Sequence, residues 1–505
     1  MAGFIFFKNE IIMSKEKKSF FQVMGSYPKS FWVASAMELF ERWAWYGLFA
    51  VLALYLTGST DEGALGFTHT EKGQIMGYVT AILYLLPLFT GVIADKIGYK
   101  LSLIIAYVML ITGYYFMGEV TSYSSVFLVF LYVAVGAAIF KPVASAIITK
   151  STDESNSTLG FGIFYMMVNI GGFIGPAFSS SLRTQYGWKL VFIQAAVVIF
   201  INLLIVIFFF KEPYRVVKKE SLLESIIGSF KKIWEAILDV RLTVLLIIMV
   251  GFWTMFNQLF YTLPTFIEDW VDTKELHDKI ASFWPWLADI MSGGGDSVNP
   301  EWLINIDAGA IVLFQIIVSY FVMKMRHVSA MITGFIIAAI GIGITFYTGN
   351  GLYTILGIVI FAVGEMMTNP TFSSFIAIIS PKGKEALYQG TYFLPVAAGN
   401  FFTAFVSGNL YQAWSDKLSL LQSEMSKRAI EMPEISKEFT KNDYFALASE
   451  KLSMSQNEMT QLIWSNYHPS KIWYVIVGIG VVTILALFVY DRLVVRPKEK
   501  QEISS

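Results

Sequence analysis

Cysteine is absent from the 505 residues, which excludes disulfides, thiolate metal sites and cysteine nucleophiles. Histidine occurs only 4 times with no H-E-x-x-H spacing, so no metal site is expected. Charge is also scarce, at 15% of the chain against roughly 25% for an ordinary globular protein. The 37 Lys and Arg against 38 Asp and Glu leave a formal net charge of -1. That balance offers no basic surplus for nucleic acid, which is excluded as a partner. No nucleophile, base and orienting group stand out together, so an enzyme is not expected.

What fills the chain is apolar and aromatic, 55% and 16% respectively, the composition of a protein whose solvent is a lipid bilayer. Twelve apolar segments long enough to cross one lie near 31–57, 73–94, 101–119, 124–149, 159–182, 187–210, 242–265, 303–323, 329–348, 352–378, 388–412 and 472–490. In lipid their backbone groups must be satisfied locally, so all are expected to be helices. Lys and Arg gather in the leader (Lys15, Lys17, Lys18, Lys29), after segment two (Lys96, Lys100), after segment six (Lys211, Arg215, Lys218, Lys219, Lys231, Lys232, Arg241), after segment eight (Lys324, Arg326) and in the tail (Arg492, Arg496, Lys498, Lys500). The positive-inside rule then puts both termini in the cytoplasm of a multi-pass protein of the cell (inner) membrane.

The expected organisation is a cytoplasmic leader 1–30, a six-helix bundle 31–211, a linker 212–241, a second six-helix bundle 242–490 with insertions 266–302 and 413–471 on the far face, and a tail 491–505. Phe4 to Phe7 is too short for a secretory core. Met13 heads an ordinary basic leader, so the first dozen residues stay outside the fold reasoning. The linker's Ser221 to Leu238 stretch is basic and amphipathic, as expected of a helix lying on the membrane face. Both insertions mix charge with apolar residues in the manner of solvated surface helices.

The most informative residues are charges inside apolar segments, because an ionisable group at that depth costs several kcal/mol unless paired or wetted, roughly 3 or more at a helix centre. Segment one carries Glu38, Glu41, Arg42 and Tyr46 on one helical face. Lys141 sits roughly 13 Å in from Lys150 at the end of segment four, at 1.5 Å rise per residue. Segment ten carries Glu365 and segment eight Asp307. Four carboxylates therefore face two cations. Surplus carboxylates in a low-dielectric cavity are expected to take up protons, which points to a proton-coupled transporter with protons as the coupling ion and no other cofactor.

Segment one, Glu38-Leu39-Phe40-Glu41-Arg42-Trp43-Ala44-Trp45-Tyr46, resembles the E-x-x-E-R-F-x-Y-Y motif of the proton-dependent oligopeptide transporters of the major facilitator superfamily. Phe164-Tyr165-Met166-Met167-Val168-Asn169-Ile170-Gly171 is similar to that family's F-Y-x-x-x-N-x-G signature. Tyr84 to Pro87, Phe140-Lys141-Pro142, Gly364-Glu365 before Asn369-Pro370, and Gly390 to Leu394 fall where the family has its Y-L-x-P, K-P, G-E-x-x-x-S-P and G-x-W-F-L segments. Gly91 to Lys100 matches the superfamily loop between helices two and three, whose Asp can cap or pair at a helix end.

The resemblance implies an all-α membrane protein of twelve transmembrane helices in two six-helix bundles, working by alternating access as a monomer. It implies that Glu38, Glu41 and Arg42 serve proton coupling with Lys141, and that Lys141 pairs with Glu365 in a cytoplasmic gate. Tyr46, Tyr84 and Asn169 would contact a peptide backbone, Glu365 its amino terminus, and Trp253 and Tyr392 its side chains, with Lys141 and Asn257 also among the substrate-binding residues. A carboxylate beyond Glu365 in the second half falls to Asp307, since the family's acid on helix seven is here Asn257, which carries no proton. The family's Arg seven residues after the motif Arg is replaced by Phe49, which removes a bidentate carboxylate clamp. Di- and tripeptides are the expected substrates. The alternatives are a relative carrying another solute, such as a modified peptide, amino-acid derivative or organic ion, and a substrate sensor that no longer transports.

Overall fold

A computed structural model describes residues 24–153, 156–212, 221–381 and 384–497. The readings made on Phe4 to Phe7, Met13, Lys15, Lys17, Lys18, Arg215, Lys218, Lys219, Lys498 and Lys500 lie outside the described residues.

The first half holds α1 (Lys29–Thr57), α2 (the bent pair His69–Leu85 and Pro87–Ile97), α3 (Tyr99–Met117), α4 (Tyr123–Lys150), α5 (Ser157–Tyr186) and α6 (Trp188–Phe208). A linker helix, Leu222–Ile237, precedes the second half. That half holds α7 (Val240–Phe256, Gln258–Tyr261 and Leu263–Trp270 in succession), α8 (Pro300–Val322), α9 (His327–Tyr347) and α10 (Gly351–Ile379). Next come α11 (Glu385–Gly390, Phe393–Ala404, a π-helical turn Phe405–Leu410 and Tyr411–Trp414) and α12 (Ile472–Tyr490). Among the described residues, 10 helices are long and apolar enough to cross a membrane, or 11 with the bent pair counted as one span. The remaining long helix is α1, 29 residues, whose Glu38, Glu41 and Arg42 dilute its hydropathy.

The breaks have local causes. The 48° bend in α2 falls at Leu86 and Pro87, where the proline ring displaces the carbonyl four residues earlier and offers no N–H. In α7 the turns reset at Asn257 and Thr262, before Pro264. Each half then builds its own apolar core. One cluster runs from Tyr27 to Phe210 with Tyr261 added from α7, and the other from Ala236 to Val495.

Close helix crossings depend on glycine. A Cβ on Gly175 of α5 would lie 2.4 Å from the Trp43 carbonyl oxygen of α1, and one on Gly171 2.3 Å from that of Leu39. This brings the motif face of α1 directly against α5. Gly73 of α2 meets the α11 backbone of Ala404 and Gly408 in the same way, joining the two halves.

The linker helix starts with a capping box between Ser221 and Glu224 and exposes Leu223, Phe230 and Trp234. Phe230 packs on Phe89 of α2 with ring centroids 4.6 Å apart, and Glu235 approaches Lys384 beside α11. The loop between α2 and α3 differs in one detail from the expected capping. Glu212, rather than Asp95, accepts the Tyr99 and Lys100 backbone N–H groups at 2.8 and 2.7 Å, while Asp95 accepts the Tyr99 hydroxyl.

The insertions lie at the opposite end and are helical caps. The first holds Lys274–Phe283 and Pro285–Ser292, the second Lys417–Lys427, Lys441–Leu452 and Gln456–Tyr467. They are more than solvated decoration. Asn442 donates to Asp61 at 2.9 Å and Glu62 at 2.8 Å, so the second-half insertion clasps the first half.

Candidate substrate and coupling site

The six intramembrane charges separate into two groups. In the first, α1 positions Arg42 between two acids: its Nε donates to Glu41 Oε2 at 2.5 Å and lies 3.4 Å from Glu38 Oε1. All three are buried. Glu38, Arg42 and Lys141 line a vestibule of about 830 Å³ together with Pro87, Asp95, Lys232 of the linker helix, Gly390 and Phe393. Two acids and two cations balance there. In the second group, Asp307 of α8 and Glu365 of α10 are 4% and 8% exposed and line one cavity in the second half.

The acid pair belongs to a central cavity of about 300 Å³ between the halves. Tyr46, Tyr84, Tyr165 and Asn169 line it from the first half, and Trp253, Asn257, Asn305, Asp307, Glu365 and Tyr392 from the second. The structure thus brings together every residue that the resemblance assigned to substrate contact except Lys141. That side chain lies in the vestibule, its Nζ 4.2 Å from the centre of the Tyr84 ring. Arg42 stands likewise 5.7 Å from the centre of the Tyr46 ring. Two tyrosines therefore separate the vestibule cations from the cavity. The implied Lys141–Glu365 pair is not formed: Lys141 faces Glu38, Glu41 and Arg42, and Glu365 faces Asp307. Pairing across the halves would need the vestibule to close.

Several cavity groups lack protein partners. Trp253 Nε1 and Asn257 Nδ2 are buried donors without acceptors, and Asn305 Oδ1 an acceptor without a donor. Buried polar groups are nearly always satisfied, so these are poised for a ligand or water. Tyr392 is already engaged, its hydroxyl donating to Asn369 Oδ1. Asn169 donates to the Tyr165 carbonyl at 2.8 Å, within its own helix. Phe49 fills the wall between Trp45 and Tyr261, with ring centroids 5.4 Å from each.

Toward the caps the cavity is sealed. Arg183 of α5 pairs with the fully buried Glu301 at the start of α8, Nε to Oε1 2.7 Å, and Asn305 Nδ2 donates to the Phe173 carbonyl at 2.8 Å. Lys72 of α2, also fully buried, donates to the Tyr261 carbonyl at 2.9 Å, and His69 Nε2 lies 3.4 Å from Asp416 Oδ1. Sequence reading passed over these residues because charges near segment ends look like ordinary interfacial ones. Only the fold shows that they meet across the halves.

Comparison with known proteins identifies the architecture. The profile of the Major Facilitator Superfamily matches residues 34–272. A transporter of Bacillus subtilis (strain 168), YclF, named as uncharacterized, is 23% identical over 451 residues, 79% of this chain and 90% of the relative. Dipeptide and tripeptide permease B of Aliivibrio fischeri (strain MJ11) is 29% identical over 170 residues, a third (33%) of each chain. A crystal structure of a peptide transporter POT in complex with sulfate superposes with a TM-score of 0.67 at 16% identity, over 94% of this chain and 97% of that one. In these matches the chain is similar to the POT peptide transporters of the major facilitator superfamily. It is a multi-pass membrane protein with the fold of transporters, not of enzymes. The nucleoside transporter NupG superposes nearly as well, TM-score 0.64 at 13% identity over 91% of this chain and 99% of that one, so the shared shape by itself carries no substrate.

Proposed function

We propose that this chain is a proton-coupled symporter of the POT type that imports di- and tripeptides by alternating access, in the cell (inner) membrane with both termini and the linker helix in the cytoplasm. The observation that carries the reading is the contrast between the two ends of the central cavity: sealed by Arg183–Glu301 toward the caps, and adjoined toward the linker helix by a vestibule lined with Glu38, Arg42 and Lys141. That is the arrangement of an inward-facing state with its coupling charges beside the substrate path.

Each half of the chemistry has its residues. Unpartnered Trp253 and Asn257 donors suit peptide carbonyls, and the Asp307–Glu365 pair suits an amine. Protons would enter the vestibule carboxyl groups: once protonated, Glu41 and Glu38 weaken their hold on Arg42 and their attraction for Lys141, which loosens the cluster and lets it remake contacts as the halves rock. Peptide relatives such as the permease above support the substrate class. The test is uptake by proteoliposomes under an inward proton gradient. Lys141→Ala should abolish the pH-driven component while leaving folded yield intact, and unchanged uptake refutes the switch.

A further inference from the structure

We propose that the central cavity prefers a substrate of net positive charge: a peptide whose terminal carboxyl is masked as an amide, or one that carries a second amine. This rests on the transport reading above and specifies the substrate within it.

The charge sorting carries the inference. Of the six charges grouped above, the two acids in excess, Asp307 and Glu365, lie in the cavity, while the vestibule cluster is neutral by count. Among the described residues lining the cavity there is no Lys, Arg or His. Arg42 and Lys141 stand beyond the Tyr46 and Tyr84 rings, and Arg42 is committed to Glu41. A zwitterionic peptide bound by its amine at the acid pair would place its carboxylate against a wall of Trp45, Phe49, Phe256, Phe260 and Tyr261. An unpaired carboxylate there loses its water without a counter-charge, an expensive transfer. Phe49 offers no guanidinium fork, and its ring is locked by Trp45 and Tyr261.

The acids meanwhile ask for positive charge. Both line the cavity, and Asp307 Oδ1 and Glu365 Oε2 are buried without a hydrogen-bond partner. Two buried carboxyl groups lining one cavity resist ionising together unless a cation joins them. An ammonium supplies three donors and fits between them. The neutral donors Trp253 Nε1 and Asn257 Nδ2 match amide carbonyls, which an amidated peptide keeps.

The experiment compares four ligands at one fixed pH by thermal stabilisation of the purified full-length protein: Ala-Ala, its C-terminal amide, N-acetyl-Ala-Ala, and the diamine cadaverine. The amide is expected to bind more than about tenfold tighter than the zwitterion, like-charge juxtaposition at a buried site costing several kcal/mol, and the acetylated peptide is expected not to bind. Asp307→Asn should shrink the amide preference several-fold by weakening the amide, not by improving overall fold. If Ala-Ala binds as tightly as its amide, the charge preference is wrong and peptide transport still stands. The charge preference is equally wrong if Asp307→Asn leaves the ratio unchanged; should that variant fail to fold, the wild-type ratio decides. If no peptide form binds but cadaverine does, the peptide reading falls and the charge preference survives. If nothing stabilises the protein, both fall.

Discussion

Glu41 and Glu365 show what a single residue's neighbours decide. Glu41 is held by a guanidinium at hydrogen-bond distance, so Glu41→Ala strands a buried Arg42. Removing one partner of a buried pair costs about 3–5 kcal/mol, and the variant should lose folded yield or melt many degrees lower in detergent. Glu365 has no cation beside it, so Glu365→Gln should leave the melting temperature within a few degrees and act on transport instead. A thermal melt of both variants separates the two roles. The presence of these charges was legible in the sequence, because an ionised group inside an apolar segment has few innocent explanations. Their grouping was not: periodicity aligns residues on one helix, and Asp307 and Glu365, more than fifty positions apart in the chain, share a cavity from α8 and α10.

The same division holds for elements. Nearly every span was readable from apolar length, whereas the segment read as one helix over 73–94 bends at Pro87. The α1 and α5 contact was readable only as a small-residue surface, since its tightness depends on two backbones meeting at Gly175 and Trp43. Gly175→Leu must push α1 away and should abolish folded protein in a size-exclusion profile, whereas Gly162→Leu, with nothing within 4 Å of its Cβ position, should be tolerated. The caps were readable as surface helices, but their clasp to the first half was not, because Asn442 and Asp61 are ordinary polar residues until the fold joins them. Asp61 is held below the usual carboxylate range chiefly by the Ser59 hydroxyl, with help from Asn442 and Thr440 against a small burial penalty. A depressed acid stabilises above its unfolded value of about 4 and loses that contribution only as pH falls through its folded value. The clasp should therefore survive at pH 5 to 6, so acid activation of transport, if measured in an Asn442→Ala variant, should keep its pH midpoint.

At the scale of the molecule, two six-helix halves meet along a cavity sealed at one end. The Arg183–Glu301 pair joins α5 to α8 there, and its loss should favour opening toward the caps. Absence of native cysteine makes a single Ala308→Cys on the cavity wall a clean reporter. Adding Glu301→Gln should raise its labelling by an impermeant maleimide from the cap side more than about tenfold, as expected when a state loses a few kcal/mol of differential support. The two-half plan was legible from the basic linker and the count of spans. Which end is closed was not, since it depends on contacts between helices more than a hundred residues apart.

Coupling is the central claim, and it has one direct test. Proteoliposomes holding the full-length protein and an internal pH dye are given a peptide, or its amide, on the outside with no imposed gradient. The account predicts that the lumen acidifies as substrate enters, and that Lys141→Ala removes the acidification. Substrate uptake with a lumen of constant pH would contradict it.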